Sequence, residues 1–326
     1  MSKYVLIGIA VVVSFMVILI THLQRTALEP RVLHSNVLLL KSGSSLLDFA
    51  KIMALISDLE TPMPIITWVM ITGRSSSLKA GEYKVSTGDS IEDIVTQVVE
   101  GKVLEHSVTF PEGFEFRDII SRLNSTKPLF REEGDLSSEL IKQAIGTDHE
   151  VLEGLFFPDT YHYIRSDTPV SILRRANKVL QVKLQDAWSD KDDGLLLKNP
   201  YELLVLASLI EKEAGVAYEK RKISGVFANR LRKNMRLQTD PTVIYGLGDD
   251  FTGDLTKEHL AKDTPYNTYR RNGLPPTPIS CPGWDSLFAA AHPEKHSLFY
   301  FVAKGDGTHY FSKTLKEHQQ AVKTYQ

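Results

Sequence analysis

Two glutamates near the middle of the sequence could carry acid–base chemistry. Glu211 and Glu213 stand in the run LASLIEKEAG, at the end of a stretch of apolar residues. Glu213 follows Leu206 by seven residues and Ile210 by three, so a helix that turns about 100° per residue places all three on one apolar face. Glu213 also falls in the last turn of the predicted helix, where the helix dipole disfavours a carboxylate. Burial and the dipole both raise a carboxyl pKa, and a glutamate that stays protonated near neutral pH suits the general acid of glycosidic cleavage.

Glu211 is the competing candidate for the same role. It aligns with Leu204 and Ala207, seven and four residues earlier, so helical geometry separates the two glutamates only weakly. The larger residues on its face and its later position favour Glu213, with Glu211 as the alternative. A purely structural interpretation also stays open, in which Glu211-Lys212-Glu213 is a solvated helix end with local ion pairs.

Residue types that bind sugars are concentrated further along the chain, in the runs LQTDPTVIYG and TPYNTY. Aromatic faces stack on sugar rings, while amides and carboxylates hydrogen-bond to sugar hydroxyls. The candidate substrate-binding residues are Gln238, Asp240, Tyr245, Asn267 and Tyr269. The alternative is a loop held by its own Asn, Asp and Tyr hydrogen bonds, which is common in proline-rich connections.

The helix that carries the two glutamates has the best-marked start in the chain. Asn199 is a good N-cap residue, Pro200 suits the first helical position, and Glu202 completes a capping-box pattern. Apolar residues then run almost unbroken over Leu203–Ile210, which predicts a helix that is buried on most sides. Gly215 is a plausible end for this helix.

Further elements are predicted around this helix. Helices are expected over Val170–Trp188 and from Lys220 to Asn234. After Arg236 the chain is rich in proline and is interpreted as loop-rich. It then closes with strands over Leu298–Ala303 and His309–Phe311 and a C-terminal helix.

One strand–turn–helix pattern occurs three times in the N-terminal part of the chain. In each copy a glycine permits a tight turn, a polar residue caps a helix, and apolar residues return at helical spacing. The glycines are Gly43, Gly88 and Gly113, the preceding β-prone runs are Val37–Leu40, Glu82–Val85 and Ser107–Phe110, and an aspartate follows each glycine by five residues at Asp48, Asp93 and Asp118. These repeats predict a small α+β domain.

The N-terminus has the composition of a membrane-spanning helix. Tyr4–Thr21 carries no charge over 18 positions, which is just long enough to cross a bilayer core. A cleaved signal peptide is the rival interpretation, but the residues after Thr21 offer no cleavage site with small residues. The short N-terminal tail and the large C-terminal part predict a cytoplasmic N-terminus, with the chain from about residue 25 onward in the periplasm.

Composition and charge exclude several other classes of protein. The 326 residues have a net charge of −2, which gives no general attraction to nucleic acid. Cys281 is the one cysteine in the sequence, so an intrachain disulfide framework and a cysteine-based zinc site are excluded. The histidines lack the spacing of metal ligands, and no nucleotide-binding glycine motif is present, so no metal and no cofactor are expected.

Long segments of the sequence resemble one family of cell-wall enzymes. LASLIEKEAG, NRLRKNMRLQTDPTVIYG, TPYNTYRRNGLPPTPISCPG and AAAHPEKHSLFYFVAKGDGTHYFSKTLKEH occur in that order. Together they resemble the catalytic domain of the endolytic murein lytic transglycosylases of the MltG (YceG-like) family. LEGLFFPDTYHY and FPEGFEFRDI resemble the same family further upstream, and Gly81–Ile91 resembles a LysM module.

The resemblance implies an α+β protein with an uncleaved anchor, a LysM-like domain and a lytic transglycosylase domain. On this basis the expected organisation is a cytoplasmic tail and transmembrane anchor over residues 1–25, a LysM-like membrane-proximal domain over 30–123, a linker over 124–149 and a catalytic domain over 150–326. The family's catalytic glutamate falls in the Glu-Lys-Glu block, and the resemblance implies that it corresponds to Glu213.

The activity that the resemblance implies is cleavage of the MurNAc–GlcNAc β-1,4 bond of nascent glycan strands. Such cleavage leaves 1,6-anhydroMurNAc ends and would terminate strand elongation. A muramidase-type hydrolase with a second carboxylate, or a non-enzymatic peptidoglycan-binding tether, are the alternatives. The expected partners are peptidoglycan glycan strands and the inner membrane, with peptidoglycan synthases and division proteins as further candidates, and no nucleic acid.

Overall fold

The computed structural model describes residues 3–129 and 136–326 of the chain. About 50% of the residues are helical and 8% lie in strands, so the α+β class predicted from the sequence is confirmed. The chain divides into two compact units. The first unit comprises the residues up to His106 together with His162–Asp167, and the second comprises most of Ser107–Tyr161 and all of Thr168–Gln326.

The first helix, α1 (Lys3–Leu28), has the length and composition of a membrane span. It has 26 residues, a mean hydropathy of 2.8 over its most apolar window, and no buried residue within that window. A helix of this length extends roughly 39 Å, which is enough for the hydrocarbon core of a bilayer. Towards its C-terminal end, Leu23 and Ala27 pack into the core of the first unit. The helix is consistent with a single-pass membrane anchor.

The first unit combines a two-stranded sheet with three helices after α1. Strands β1 and β2 are antiparallel, with Val37 opposite Lys84 and Leu40 opposite Gly81. The helices bury apolar side chains against this sheet, among them Phe49, Met53 and Ile94. The bounds are β1 (Val37–Leu40), α2 (Leu46–Ile56), α3 (Met63–Ile71), β2 (Gly81–Lys84) and α4 (Ile91–Glu100).

The three predicted strand–turn–helix repeats are present, and each aspartate has the same function. All three glycines adopt the left-handed backbone conformation, with φ of 80°, 109° and 76°. In each repeat the aspartate accepts a hydrogen bond of 2.9 Å from the backbone N–H of the N-cap residue. The pairs are Ser45 with Asp48, Ser90 with Asp93, and Glu115 with Asp118. The constant glycine-to-aspartate spacing is therefore the spacing of a turn followed by a helix cap.

The second unit is mostly helical, and its central helix is α8. This helix packs against α7, α9, α10 and α12. Two strands at the C-terminal end form an antiparallel hairpin, in which Tyr300 lies opposite Ser312 and Ala303 opposite His309. The bounds are α5 (Phe116–Ser125), α6 (Ser138–Ile145), α7 (Pro169–Ser189), α8 (Pro200–Glu213), α9 (Lys220–Arg232), α10 (Asp240–Leu247), α11 (Lys257–Ala261), α12 (Trp284–Ala291), β5 (Tyr300–Ala303), β6 (His309–Ser312) and α13 (Leu315–Tyr325). A further two-stranded sheet is formed by β3 (His106–Thr109) and β4 (Thr160–Tyr163).

The structure adds short helices to the loop-rich segment after Arg236. This segment contains three helices, α10, α11 and α12, of eight, five and eight residues. Helices this short span about two turns or fewer, so their apolar periodicity is too brief to be read from a proline-rich sequence. The predicted linker over 124–149 contains the end of α5 and all of α6, and its residues 130–135 lie outside the described part of the chain.

Candidate active site

Helix α8 begins and ends where its sequence signals place it. The Asn199 side chain accepts a hydrogen bond of 2.9 Å from the backbone N–H of Glu202, and Pro200 is the first helical residue. All eight residues of Leu203–Ile210 are buried. The Glu202 carboxylate accepts from the backbone N–H of Lys198, at 2.7 Å, and so caps the turn one residue earlier than a capping box would. The helix ends at Glu213, so the Glu213 side chain lies at the C-terminal end of a helix whose central residues are buried.

The Glu213 carboxyl is partly buried and has one hydrogen-bond donor among the described side chains, the Thr239 hydroxyl. Burial raises the pKa of Glu213 to about 7. The negative charge of Asp240 raises this pKa further, whereas the Thr239 hydrogen bond and the positive charge of Arg230 lower it. A carboxyl whose pKa lies near neutral pH can donate a proton and later take one back.

Glu213 lies in an open cleft of about 360 Å³ in the second unit. Three of the five predicted sugar-binding residues line the same cleft: Gln238, Asp240 and Tyr269. The same cleft is also lined by residues outside the predicted set, including Arg230, Tyr300, His309 and His318. Aromatic, amide and charged groups thus converge on one carboxyl, which is the composition of a carbohydrate-binding cleft.

Asp240 and Tyr269 act as a pair within this cleft. The Tyr269 hydroxyl donates a hydrogen bond of 2.5 Å to Asp240 Oδ1. Burial, and after it the bond to Asp240, raises the pKa of Tyr269, so the phenol keeps its proton. Asp240 itself is exposed to the solvent in the cleft, at the first position of α10.

Gln238 occupies a backbone conformation that glycine would adopt more easily. Its φ is 49°. Among the described residues, Asn234 is the other non-glycine residue with a positive φ. A left-handed conformation costs a side-chain-bearing residue on the order of 1 kcal/mol. The Gln238 N–H donates to the Thr268 carbonyl at 3.2 Å, and this bond holds the strained residue in the cleft wall.

The other two candidates, Tyr245 and Asn267, lie outside the cleft. The Asn267 amide group donates to the carbonyls of Leu260 and Lys262, and its oxygen accepts from the backbone N–H of Tyr269 at 2.9 Å. Asn267 is fully buried, so it fixes the loop that carries Tyr269. The Tyr245 hydroxyl donates to the buried carboxyl of Glu153 at 3.3 Å.

Glu211 is bound entirely within the protein. Its carboxylate is 8% exposed and accepts from Lys220 Nζ at 3.1 Å, from the Gly283 N–H at 3.0 Å and from the Ser286 hydroxyl at 2.7 Å. The residue therefore joins α8 to α9 and α12. The two glutamates that the sequence could hardly separate have different surroundings, since Glu213 faces the cleft and Glu211 faces the core.

Two residues around Glu213 were missed in the sequence. Thr239 stands between two selected residues in LQTDP, and its hydroxyl gave no signal of its own. Arg230 lies in the basic run NRLRK, which is typical of a solvated helix face. In the structure its guanidinium is buried and donates to the carbonyls of Leu237 and Phe299, at 2.6 and 2.7 Å, and so shapes the cleft wall.

Within residues 3–129 and 136–326, no group of three or more His, Cys, Asp or Glu side chains could hold a metal ion. Cys281 is buried, and burial raises the pKa of its thiol, so the thiol stays protonated.

These features define a class of protein: an α+β body with an N-terminal apolar helix and an open cleft around one partly buried, protonatable glutamate. The chain belongs to the YceG-like family, whose profile matches residues 38–324. That match includes Glu213 and every residue of the cleft named above.

Three relatives illustrate the similarity. The endolytic murein transglycosylase of Bacillus subtilis (strain 168) is 33% identical over 304 residues, which cover 87% of this chain and 83% of that protein. The endolytic murein transglycosylase of Streptococcus pneumoniae serotype 2 (strain D39 / NCTC 7466) is 28% identical over 282 residues, which cover 76% of this chain and 50% of that protein. A crystal structure at 2.6 Å of a yceG-like protein from Listeria monocytogenes is 31% identical with a TM-score of 0.58, and the alignment covers 90% of this chain and 99% of that one.

Proposed function

We propose that this protein is a peptidoglycan lytic transglycosylase that cleaves the β-1,4 bond between MurNAc and GlcNAc within glycan strands. Membership of the YceG-like family, and relatives named endolytic murein transglycosylases, support the activity. The observation that carries the assignment to a site is the Glu213 carboxyl, partly buried in an open cleft with a pKa raised to about 7. Cuts within a nascent strand would end its elongation.

The reaction needs one carboxyl that changes its protonation state twice. Protonated Glu213 donates its proton to the bridging oxygen, and the bond from that oxygen to C1 of MurNAc breaks. The resulting Glu213 carboxylate takes the proton of the MurNAc C6 hydroxyl while O6 bonds to C1. The products are a GlcNAc with a free 4-hydroxyl and a 1,6-anhydroMurNAc end, Glu213 is protonated again, and no water is consumed.

The other cleft residues bind the sugars and stabilise positive charge. The exposed carboxylate of Asp240 can stabilise the oxocarbenium-like transition state electrostatically. Tyr269 offers an aromatic face to a sugar ring, and Gln238 offers an amide to its hydroxyls. Asn267 holds the loop that carries Tyr269, and the hydrogen bond from Tyr245 to Glu153 holds α10 in place. Both residues therefore stabilise the site without contacting the substrate.

A muramidase-type hydrolase is the second candidate function, and one observation favours it. Asp240 is a second carboxylate in the cleft of Glu213, and glycoside hydrolases use two such groups. In that reaction a water molecule would attack C1 and leave a reducing MurNAc end. A purely non-enzymatic tether would instead leave the strands uncut.

The experiment that separates these functions is digestion of uncrosslinked glycan strands by the purified protein, with mass spectrometry of the products. We expect shorter strands whose new ends are one water lighter than reducing ends. Reducing ends would favour the hydrolase, and intact strands would favour the tether.

The anchor and the N-terminal unit complete the proposal. We place α1 in the inner membrane with its N-terminus in the cytoplasm, a LysM-like domain over residues 30–123, a linker over 124–149 and the catalytic domain over 150–326 in the periplasm. In this arrangement, protease should reach the catalytic domain only after the outer membrane is opened. Peptidoglycan synthases and division proteins are the candidate partners of the membrane-proximal part, and co-purification from crosslinked membranes would test them.

A further inference from the structure

A carboxylate–imidazole pair lies beside the Glu213 cleft. His309 is the first residue of β6, and Glu219 ends the short 3₁₀ turn Ala217–Glu219 between α8 and α9. The Nδ1 atom of His309 lies 2.7 Å from Glu219 Oε2, and the backbone N–H of His309 donates to Glu219 Oε1 at 3.2 Å. The two side chains are only 9% and 8% exposed, so the pair is a built feature of the fold and not a surface contact.

The pairing with Glu219 determines what the second ring nitrogen can do. A carboxylate only accepts hydrogen bonds, so Nδ1 carries the hydrogen, and in the neutral imidazole Nε2 is left as an acceptor. Among the described residues, Nε2 of His309 has no hydrogen-bond partner. The rings of Phe301 and Phe311 lie edge-on to the imidazole, at 5.3 and 6.2 Å between centroids, and restrict its rotation.

The imidazole of His309 forms part of the lining of the cleft. His309 lines the same cleft as Glu213, whereas Glu219 is absent from the described residues that line it. Glu219 therefore reaches the cleft only through the imidazole that it orients.

The hairpin that carries His309 is fixed directly against the helix of Glu213. Gly215 follows the end of α8, and a Cβ atom at this position would lie 2.4 Å from the carbonyl oxygen of Gly307. A side chain there could not be accommodated, because the obstructing atom belongs to the backbone of the β5–β6 turn. The close approach keeps His309 at a constant position relative to Glu213, as a substrate contact requires.

We propose that His309 binds the glycan strand, with Nε2 accepting a hydrogen bond from a sugar hydroxyl, and that Glu219 is its positioning residue. That the ligand is a glycan strand rests on the proposed function. That Nε2 of His309 is oriented and has no hydrogen-bond partner among the described residues follows from the geometry alone. His309 then joins Gln238, Asp240 and Tyr269, which line the same cleft, as a sugar-binding residue.

The test measures the binding of soluble, uncrosslinked glycan strands to the full-length, detergent-solubilised protein carrying Glu213→Gln, so that no cleavage occurs. His309→Asn is added to this parent, because the Asn amide can still donate to Glu219 in place of Nδ1 but has no atom in place of Nε2. We expect an unchanged melting temperature and binding that is weakened roughly 3- to 10-fold, as the loss of one hydrogen bond implies. Glu219→Ala should weaken binding by a similar factor in the parent and by nothing further beside His309→Asn.

A second measurement does not depend on the folding of any His309 variant. In the Glu213→Gln parent, the ¹⁵N resonance of His309 Nε2 should shift when glycan strands are added. Unchanged affinity in His309→Asn together with an unmoved resonance, while the parent binds strands, would overturn the inference and leave the proposed function standing. A parent that binds no strands would overturn both.

Discussion

The Thr239 hydroxyl donates a hydrogen bond to Oε1 of Glu213, so the candidate acid is bound by the residue at the N-cap position of α10. The next residue, Asp240, acts on Glu213 with the opposite sign. The Thr239 bond lowers the pKa of Glu213, whereas the charge of Asp240 raises it. A single dipeptide therefore adjusts the acid in two directions, around a pKa that burial has already raised to about 7.

The pH profile of the wild-type enzyme should report this acid. The first step needs protonated Glu213, so kcat/KM should fall as the pH rises through about 7. Thr239→Val removes the hydroxyl at nearly constant volume and with it a bond that favours the carboxylate. We expect the falling limb to move to higher pH in this variant. A limb that stays in place or moves to lower pH would contradict the role of Thr239.

Asp240→Asn should move the same limb in the opposite direction. The variant removes the negative charge that raises the pKa of Glu213, while the amide can still accept the Tyr269 hydrogen bond. Because Asp240 is exposed to solvent, the shift should shrink when the ionic strength is raised. Rate measurements over pH at low and high salt test both statements, and a shift of the same sign as in Thr239→Val would contradict them.

Substitution of Glu213 should reduce activity, whereas substitution of Glu211 should reduce stability. Glu213→Gln cannot deliver a proton, and the loss of acid–base assistance in both steps should reduce kcat by roughly 10³-fold or more. Glu211→Gln leaves buried Lys220 without its nearest anion and should cost on the order of 3 kcal/mol of unfolding free energy. Its folded fraction should still cleave strands.

Glu202→Gln, on the same helix but outside the cleft, is the matched control and should keep full activity and nearly full stability. Activity assays and denaturation curves on the three variants provide the comparison. An active Glu213→Gln beside an inactive but stably folded Glu211→Gln would transfer the acid to Glu211.

Glu153 should make the protein less stable at high pH. Burial raises the pKa of Glu153 to about 7 from an ordinary value of 4.5, even though the backbone N–H of Phe116 donates to the carboxyl. The folded state therefore binds more protons than the unfolded state between these pH values, so stability is lost as the pH rises from about 4.5 to about 7.

Glu153→Gln removes this dependence and keeps an acceptor for Phe116. Relative to wild type, the variant should gain up to about 3 kcal/mol between pH 5 and pH 8 in urea unfolding. Glu202→Gln is the control here too, since that carboxylate is not buried. A stability difference between Glu153→Gln and wild type that is the same at both pH values would show that Glu153 does not titrate in this range.

The parts of the fold that the sequence predicted are those with local causes. The start of α8 follows from Asn199 and Pro200, and the three repeats follow from a glycine and an aspartate at fixed spacing. The short helices α10, α11 and α12 could not be predicted, because packing against α8 and its neighbours stabilises them more than any local pattern does.

The site divides in the same way. The apolar face of α8 indicated Glu213 from the sequence alone. Only tertiary contacts show that the Glu211 carboxylate is hydrogen-bonded by Lys220, Gly283 and Ser286, which follow it by nine to 75 residues. Arg230 and His309 gave no sequence signal, because each owes its position in the cleft to partners that are distant along the chain or on another element. Asn267 had the right residue type for sugar binding, yet its side chain bonds to the backbone of Leu260, Lys262 and Tyr269.

Glu213 should drive an intramolecular displacement in which no water takes part. Digestion of uncrosslinked glycan strands in H₂¹⁸O measures whether water enters the product. We expect new chain ends that are 1,6-anhydro sugars with no ¹⁸O, and we expect no such ends when Glu213→Gln replaces the wild type. New ends that are reducing sugars and carry one ¹⁸O atom would contradict this expectation and make Asp240 the second carboxylate of a hydrolase.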